Sequence, residues 1–189
     1  MTHVTHRLPS DLPEESRSLL DGLERDRGYV PNLYRMLAHN PVLLRDFLQV
    51  TADVRSETRL DAKLRELAIL TVARVTGAAI QWLSHLPIAV AAGLTPDQVI
   101  GLPVWEHHPG FSEIERAAIA YAEHVVRAGH VPEQLAADLR VYLDEQETVE
   151  LAFTVSYYLM VARFQQALEV DVDPEYIAPA RAALADSAR

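Results

Sequence analysis

The 189-residue chain reads as all-α, a single helical bundle, on three observations. It holds only 7 glycines. Period-two alternation of apolar and polar residues, the mark of a half-buried strand, is rare. Apolar residues recur instead at helical spacing, between recognisable helix starts and stops.

The first helix is expected over Pro13 to Leu23, ending at the Arg27-Gly28 break. A loop, Gly28-Tyr29-Val30-Pro31-Asn32, leads into a short helix from Leu33 to Ala38. Asn40 is a good N-cap with Pro41 at the first helical position, and it opens a helix to about Arg55. Asp61 begins the next helix, which runs through Leu64, Leu67, Leu70 and Ala73 to a stop near Gly77. Its middle, Leu67 to Ala73, is apolar on every side, so this helix is central. Ala78 to Ala92 forms a further helix, closed by Gly93, and Thr95-Pro96-Asp97 restarts a short one. After a loop with Pro103, Pro109 and Gly110, the capping box Ser112-Glu113-Ile114-Glu115 opens a long helix to Ala128. Pro132 to about Asp144, Glu147 to about Leu168 and the alanine-rich Pro174 to Ala185 complete the set. The connections are short. The expected organisation is an extension with a short helix over 1–27, one helical domain over 28–175 and a C-terminal helix over 176–189.

Composition removes several functions. Acid exceeds base, 27 residues against 17, for a net charge of −10, so there is no electrostatic footprint for nucleic acid or an anionic membrane. There is no cysteine. That excludes disulfides, thiolate zinc sites, a Cys nucleophile and a dithiol redox cycle within the chain. The N-terminus, Met1-Thr2-His3-Val4-Thr5-His6-Arg7-Leu8-Pro9, lacks the apolar core of a signal peptide. The longest apolar run, Leu151 to Ala162, stops at Arg163 and falls short of the roughly 20 residues a membrane span requires. A cytoplasmic location is expected.

Two side chains stand out against their surroundings. Glu66 shares a helical face with Ala62, Ile69, Leu70 and Ala73, where desolvation suits a carboxyl to proton transfer. His85 shares a face with Ala78, Gln81, Ile88, Ala89 and Ala92. Gln81 lies at i−4 from His85, so its amide is placed to orient the imidazole. Pro87 cannot bond to the carbonyl of Leu83 and so bends this helix or frees an acceptor. The plain alternative is that Glu66 pairs with Lys63, Arg65 or a neighbouring helix, and that His85 is a satisfied core histidine. Glu106-His107-His108 and His130 lie in loops, and no His-x-x-x-His pair exists, so no metal is expected.

The segments Leu64-Arg65-Glu66-Leu67-Ala68-Ile69-Leu70, Gln81-Trp82-Leu83-Ser84-His85-Leu86-Pro87-Ile88-Ala89 and Ala91-Ala92-Gly93-Leu94 resemble the carboxymuconolactone decarboxylase/AhpD-like superfamily. Phe111 to Ala117, Glu145 to Leu151, Phe153 to Tyr158 and Val170 to Asp173 extend the resemblance over about Gly28 to Asp173. It implies an AhpD-like helical bundle that assembles as a homo-oligomer: a dimer, trimer or hexamer. In the alkylhydroperoxidase branch a glutamate precedes a Cys-x-x-Cys pair and a histidine follows. Those cysteine positions fall here on Ala78 and Gln81, and the histidine on His85. The resemblance is therefore to the thiol-free branch, because a thiol peroxidase needs a thiolate. It implies a cofactor-free enzyme acting on a small carboxylated or lactone substrate, as a lyase of the decarboxylase type. His85 would donate a proton, Glu66 would set its protonation state, and Gln81 would hydrogen-bond a substrate carbonyl. Trp82 and Tyr158 would line the pocket, or else simply pack in the core. A peroxidase-type oxidoreductase and a non-catalytic binding or assembly module are the competing readings. Glu147 to Leu168 carries Phe153, Tyr157, Met160 and Phe164 at helical spacings, and part of it is expected to lie between subunits.

Overall fold

The helix expected to be central is central: every residue from Glu66 to Ala73 is buried, whichever way it points. This is seen in a computed structural model of the chain, which describes residues 2–5 and 11–185. Parts of the expected terminal segments, 6–10 and 186–189, lie outside the described residues, as does Met1. Ten α-helices and no strand occur among the described residues. None of these helices is long and apolar enough to cross a membrane. The chain divides into two compact units, one drawn from 1–57 and 165–173, the other from 58–164 and 174–189.

The first unit holds α1 (Glu14–Arg27), α2 (Asn32–Leu37) and α3 (Pro41–Ser56). Asn40 caps α3 as its sequence implies, its side chain accepting from the Val42 and Leu43 amides at 3.0 and 3.3 Å. Inside the unit the buried Ser16 hydroxyl donates to the Ala38 carbonyl at 2.9 Å. The start of α2 is held by Asp173, whose carboxylate accepts from the Asn32 amide at 2.8 Å.

The second unit is built on α4 (Ala62–Thr76), which packs against α5 (Ala79–Ala91) and α7 (Glu113–Ala128). Asp61 caps α4 by accepting from the Lys63 and Leu64 amides. Gly77 ends it at φ 68°, a left-handed conformation natural to glycine, and thereby turns the chain straight into α5. The short α6 (Pro96–Gly101) starts on a capping box, Thr95 with Gln98, and α7 on a second one, Ser112 with Glu115. Then follow α8 (Glu133–Arg140), α9 (Glu145–Ala167) and α10 (Ile177–Ala185), with α10 against α5. Leu67, Leu70, Leu86, Leu94 and Ile119 form the core of this unit. Proline 87 is accommodated within α5.

Three boundaries differ from expectation. α8 ends at Arg140, short of Asp144, because the Val141 and Tyr142 amides bond three residues back, to Asp138 and Leu139. That tight turn buries Leu143 and brings the Tyr142 hydroxyl to Glu113 at 2.7 Å. α9 starts two residues earlier than Glu147, since Asp144 and Glu147 cap it reciprocally at 2.9 and 3.0 Å. A 3₁₀ turn, Pro174–Tyr176, precedes α10, and Pro179 then falls in the first turn of the helix, where its missing N–H costs nothing.

Candidate active site

The packing of α4, α5 and α9 sets a ladder of contacts. Glu66 meets His85, Ile69 meets Gln81, and Ala73 meets Ala78. Residue numbers rise on α4 as they fall on α5, so the two helices are antiparallel. On α9, Tyr158 meets His85 while Ala162 packs with Ala73 and Ala78, so α9 runs parallel to α4. Glu66, His85 and Tyr158 thus form one rung of three helices. Ala73, Ala78 and Ala162 make a floor of small side chains two turns below.

On the central rung, His85 Nδ1 lies 2.8 Å from Glu66 Oε2. Glu66 is fully buried and His85 is 4% exposed. A carboxylate only accepts, so Nδ1 carries the proton and donates it, which leaves Nε2 of the neutral ring as the basic nitrogen. The edge of one ring meets the face of the other between His85 and Tyr158, with centroids 4.8 Å apart at 86°. The imidazole is therefore fixed in both tautomer and orientation. Tyr157 stacks on Phe153 behind Tyr158, at 6.2 Å and 7°.

Gln81 differs from its expected role. Its Nε2 donates to the Ile69 carbonyl at 3.0 Å, across the helix pair, and Glu66 orients the imidazole in its place. The reason is the antiparallel register, which sets Gln81 opposite a backbone acceptor one rung below the histidine. Trp82 is half-buried and packs on the core leucines and on the alanine floor. Lys63 does not reach Glu66 either: its ammonium goes to Glu115 at 2.5 Å. Arg65 Nε stands 3.7 Å from Glu66 Oε1, close enough for an ion pair and too far for a hydrogen bond. Thr154, one turn before Tyr158 and fully buried, was not anticipated. Its signal in the sequence is a hydroxyl inside the apolar run 151–162.

A second polar cluster lies at the start of α4 and α7. Glu115, 5% exposed, accepts from the Ser112 amide and hydroxyl at 2.8 and 3.0 Å, and from Gln98 at 3.3 Å, besides pairing with Lys63. Burial pushes its carboxyl up, but the Lys63 and Ser112 hydrogen bonds outweigh this and leave it below the ordinary carboxylate value. The cluster joins three helix starts and acts as a structural tie. His108 is likewise structural, packed edge-on against Phe111 at 5.4 Å and 3.4 Å from Asp97. Among the described residues no three His, Asp or Glu side chains gather in a metal-binding group.

The comparisons with known proteins concern this same region. A model of the carboxymuconolactone decarboxylase family matches residues 41–124, a span that holds Glu66, Gln81, Trp82 and His85 but not Tyr158. The uncharacterized protein YdfG of Bacillus subtilis (strain 168) is 25% identical over 114 residues, covering 58% of this chain and 78% of that one. An uncharacterized peroxidase-related protein from Silicibacter sp. TM1040 superposes with a TM-score of 0.82 at 19% identity, over 94% of both chains. An alkylhydroperoxidase AhpD core protein from Ralstonia eutropha JMP134 gives 0.80 at 18% identity, over 93% of this chain and 94% of that one. The debrominase Bmp8, solved as a cysteine-to-alanine variant with 2,3,4-tribromopyrrole, gives 0.77 at 21% identity over 98% and 97%. The solved structures share the fold, and over residues 41–124, which carry the Glu66–His85 pair, the chain is similar to the carboxymuconolactone decarboxylase family.

Proposed function

We propose that the chain is a cytoplasmic acid–base enzyme that uses no cofactor and acts on a small carboxylated or lactone substrate, as a lyase of the decarboxylase type. The observation that carries this reading is the buried 2.8 Å bond between His85 Nδ1 and Glu66 Oε2. In a decarboxylation the carbon–carbon bond to the carboxylate breaks, carbon dioxide leaves without the electron pair, and that pair becomes an enolate. Protonated His85 delivers its Nε2 proton to the enolate carbon, and the Glu66 carboxylate stabilises the imidazolium before transfer. Proton abstraction by the neutral ring, for isomerisation or dehydration, uses the same atoms in reverse.

A thiol peroxidase mechanism is disfavoured because the chain has no cysteine to form a sulfenic acid. The depth of the pair gives some weight to a second reading, a non-catalytic binding or assembly module. The two separate on one experiment: wild type, His85→Ala and Glu66→Gln are assayed against a panel of lactones and β-keto acids. Turnover lost in both variants supports the enzyme; turnover that survives both sinks the assignment of these residues.

We also infer a homo-oligomer. Part of the outer face of α9 is apolar, with Val149, Phe153 and Met160 67%, 52% and 46% exposed beside the exposed Ser156 and Arg163. A cluster of large exposed apolar side chains of this kind often marks a contact surface. Light scattering on the purified chain tests this, and a monomer counts against it.

A further inference from the structure

Two buried polar atoms without a hydrogen bond in the chain face each other beside His85. Arg65 Nε is a donor and Glu66 Oε1 an acceptor, and they stand 3.7 Å apart. Both side chains are withdrawn from solvent, Arg65 to 11% and Glu66 to 1% exposure. Neighbours in a helix point in different directions, so adjacency in the sequence does not by itself bring these groups together. Gln81 Oε1 and Thr154 Oγ1 also lack a hydrogen bond, and neither carries a charge. One carboxylate therefore serves two partners: its Oε2 accepts from His85 Nδ1 at 2.8 Å, and its Oε1 faces the guanidinium. Cation, anion and imidazole form one chain of contacts, in which the cation opposes any positive charge placed on the ring. The remaining charges are spent elsewhere. Lys63 pairs with Glu115, and Arg74 with Glu123 of α7. His85 is the one ionisable residue of α5, and α9 presents the Tyr158 ring with Tyr157 packed edge-on behind it. The C-terminal segment packed against α5 brings Glu175 and Arg181, both exposed, and Tyr176.

We propose that Arg65 is a positioning residue for proton transfer: its cation, acting through Glu66, keeps the His85 ring neutral at rest and makes its protonated form a stronger acid. This role rests on the reading of His85 as the proton carrier and says how that carrier is tuned. In the decarboxylation above, Glu66 alone would hold an imidazolium firmly and slow the release of its Nε2 proton. Arg65 offsets part of that hold, so the ring gives up its proton to the enolate carbon more readily. A unit charge about 8–10 Å from the ring, in the effective dielectric of about 20 that suits buried sites, changes its proton affinity by roughly 10- to 30-fold. Arg65 leaves the Nδ1 hydrogen bond intact, because it faces the other oxygen of the carboxylate.

The test follows the ¹⁵N resonances of the His85 ring against pH in wild type, Arg65→Met and Arg65→Lys. Arg65→Met removes the charge and should raise the midpoint for protonation of the ring by about one pH unit or more. Arg65→Lys restores a cation and should return the midpoint most of the way to wild type. A folded Arg65→Met with the wild-type midpoint overturns the proposal, and so does Arg65→Lys displaced as far as Arg65→Met. A residue that only packs would lower Tm and leave the midpoint where it was. Where the wild-type ring stays neutral down to acid unfolding, protonation of the Arg65→Met ring above that pH supports the proposal, and its absence overturns it. Should Arg65→Met not fold, the Arg65 ¹⁵Nε resonance of the wild type decides: it moves with the His85 midpoint, or the idea fails. None of these readouts needs turnover, so an inactive panel in the assay above leaves this result standing, and the reverse holds.

Discussion

Glu66→Gln separates the chemical role of the pair from its structural one. The substitution preserves shape, and the side chain is fully buried, so water cannot take the place of the carboxylate. A hydrogen bond to a charged group contributes about 1.5–3 kcal/mol and a neutral one about 0.5–1.5, so the exchange loses about 1–1.5 kcal/mol. Relief from holding a charge in the interior offsets part of that. Stability should fall by at most about 1.5 kcal/mol, which for a chain of this size lowers Tm by no more than about 3–6 °C. Activity should fall much further. The amide cannot stabilise an imidazolium as a carboxylate does, and its NH₂ favours the tautomer with the proton on Nε2. Losing both effects should lower kcat by about 100-fold or more. Steady-state turnover on any substrate from the panel, thermal unfolding and the ¹⁵N shifts of the His85 ring measure the three quantities. A folded Glu66→Gln protein that turns over within about threefold of wild type and keeps the Nδ1–H tautomer would falsify the reasoning.

Glu115 supplies a pH prediction. Its carboxyl is depressed in the folded chain, so its contribution is present above the unfolded value of about 4.3 and is lost as pH falls through the lower folded one. Glu115→Gln should cost about 1–3 kcal/mol at neutral pH, with the gap from wild type closing below about pH 4 in thermal unfolding; a gap independent of pH would refute this. At Gly101 an added Cβ would overlap the His108 ring, so Gly101→Ala should destabilise by about 1–3 kcal/mol. The double variant with His108→Ala should recover part of that loss, and an unchanged Tm for Gly101→Ala would show the ring free to move. On the outer face of α9, Phe153→Glu places a charge on the apolar stripe, and light scattering should report a smaller species than wild type.

The elements legible in the sequence are those whose ends are fixed by neighbours in the chain. Asn40, Asp61, Thr95 and Ser112 cap their helices through bonds spanning two or three residues, so the residue types alone locate the starts. The prominence of Glu66 and His85 was legible for a related reason, as each breaks an otherwise apolar helical face. Their 2.8 Å bond was not, since it depends on the register of two helices. Register also explains the misreading of Gln81: spacing along α5 puts it beside His85, whereas the facing helix offers a closer acceptor in Ile69. Lys63 presents the same limit. Three residues from Glu66 on one helix, it finds its partner at Glu115, 52 positions away.

The alanine floor and the committed amide make positions 78 and 81 unequal in their capacity for change. Ala78 packs with Ala73 and Ala162, and a sulfur there adds one atom to a contact made of small side chains. Gln81 is 2% exposed and tethered across the helix pair, so a thiol there would lose the tether and open a void. Placing the dithiol pattern of the redox branch on this chain would therefore disturb less at position 78 than at position 81. The cost at position 81 is the one hydrogen bond from the Gln81 amide to the Ile69 carbonyl.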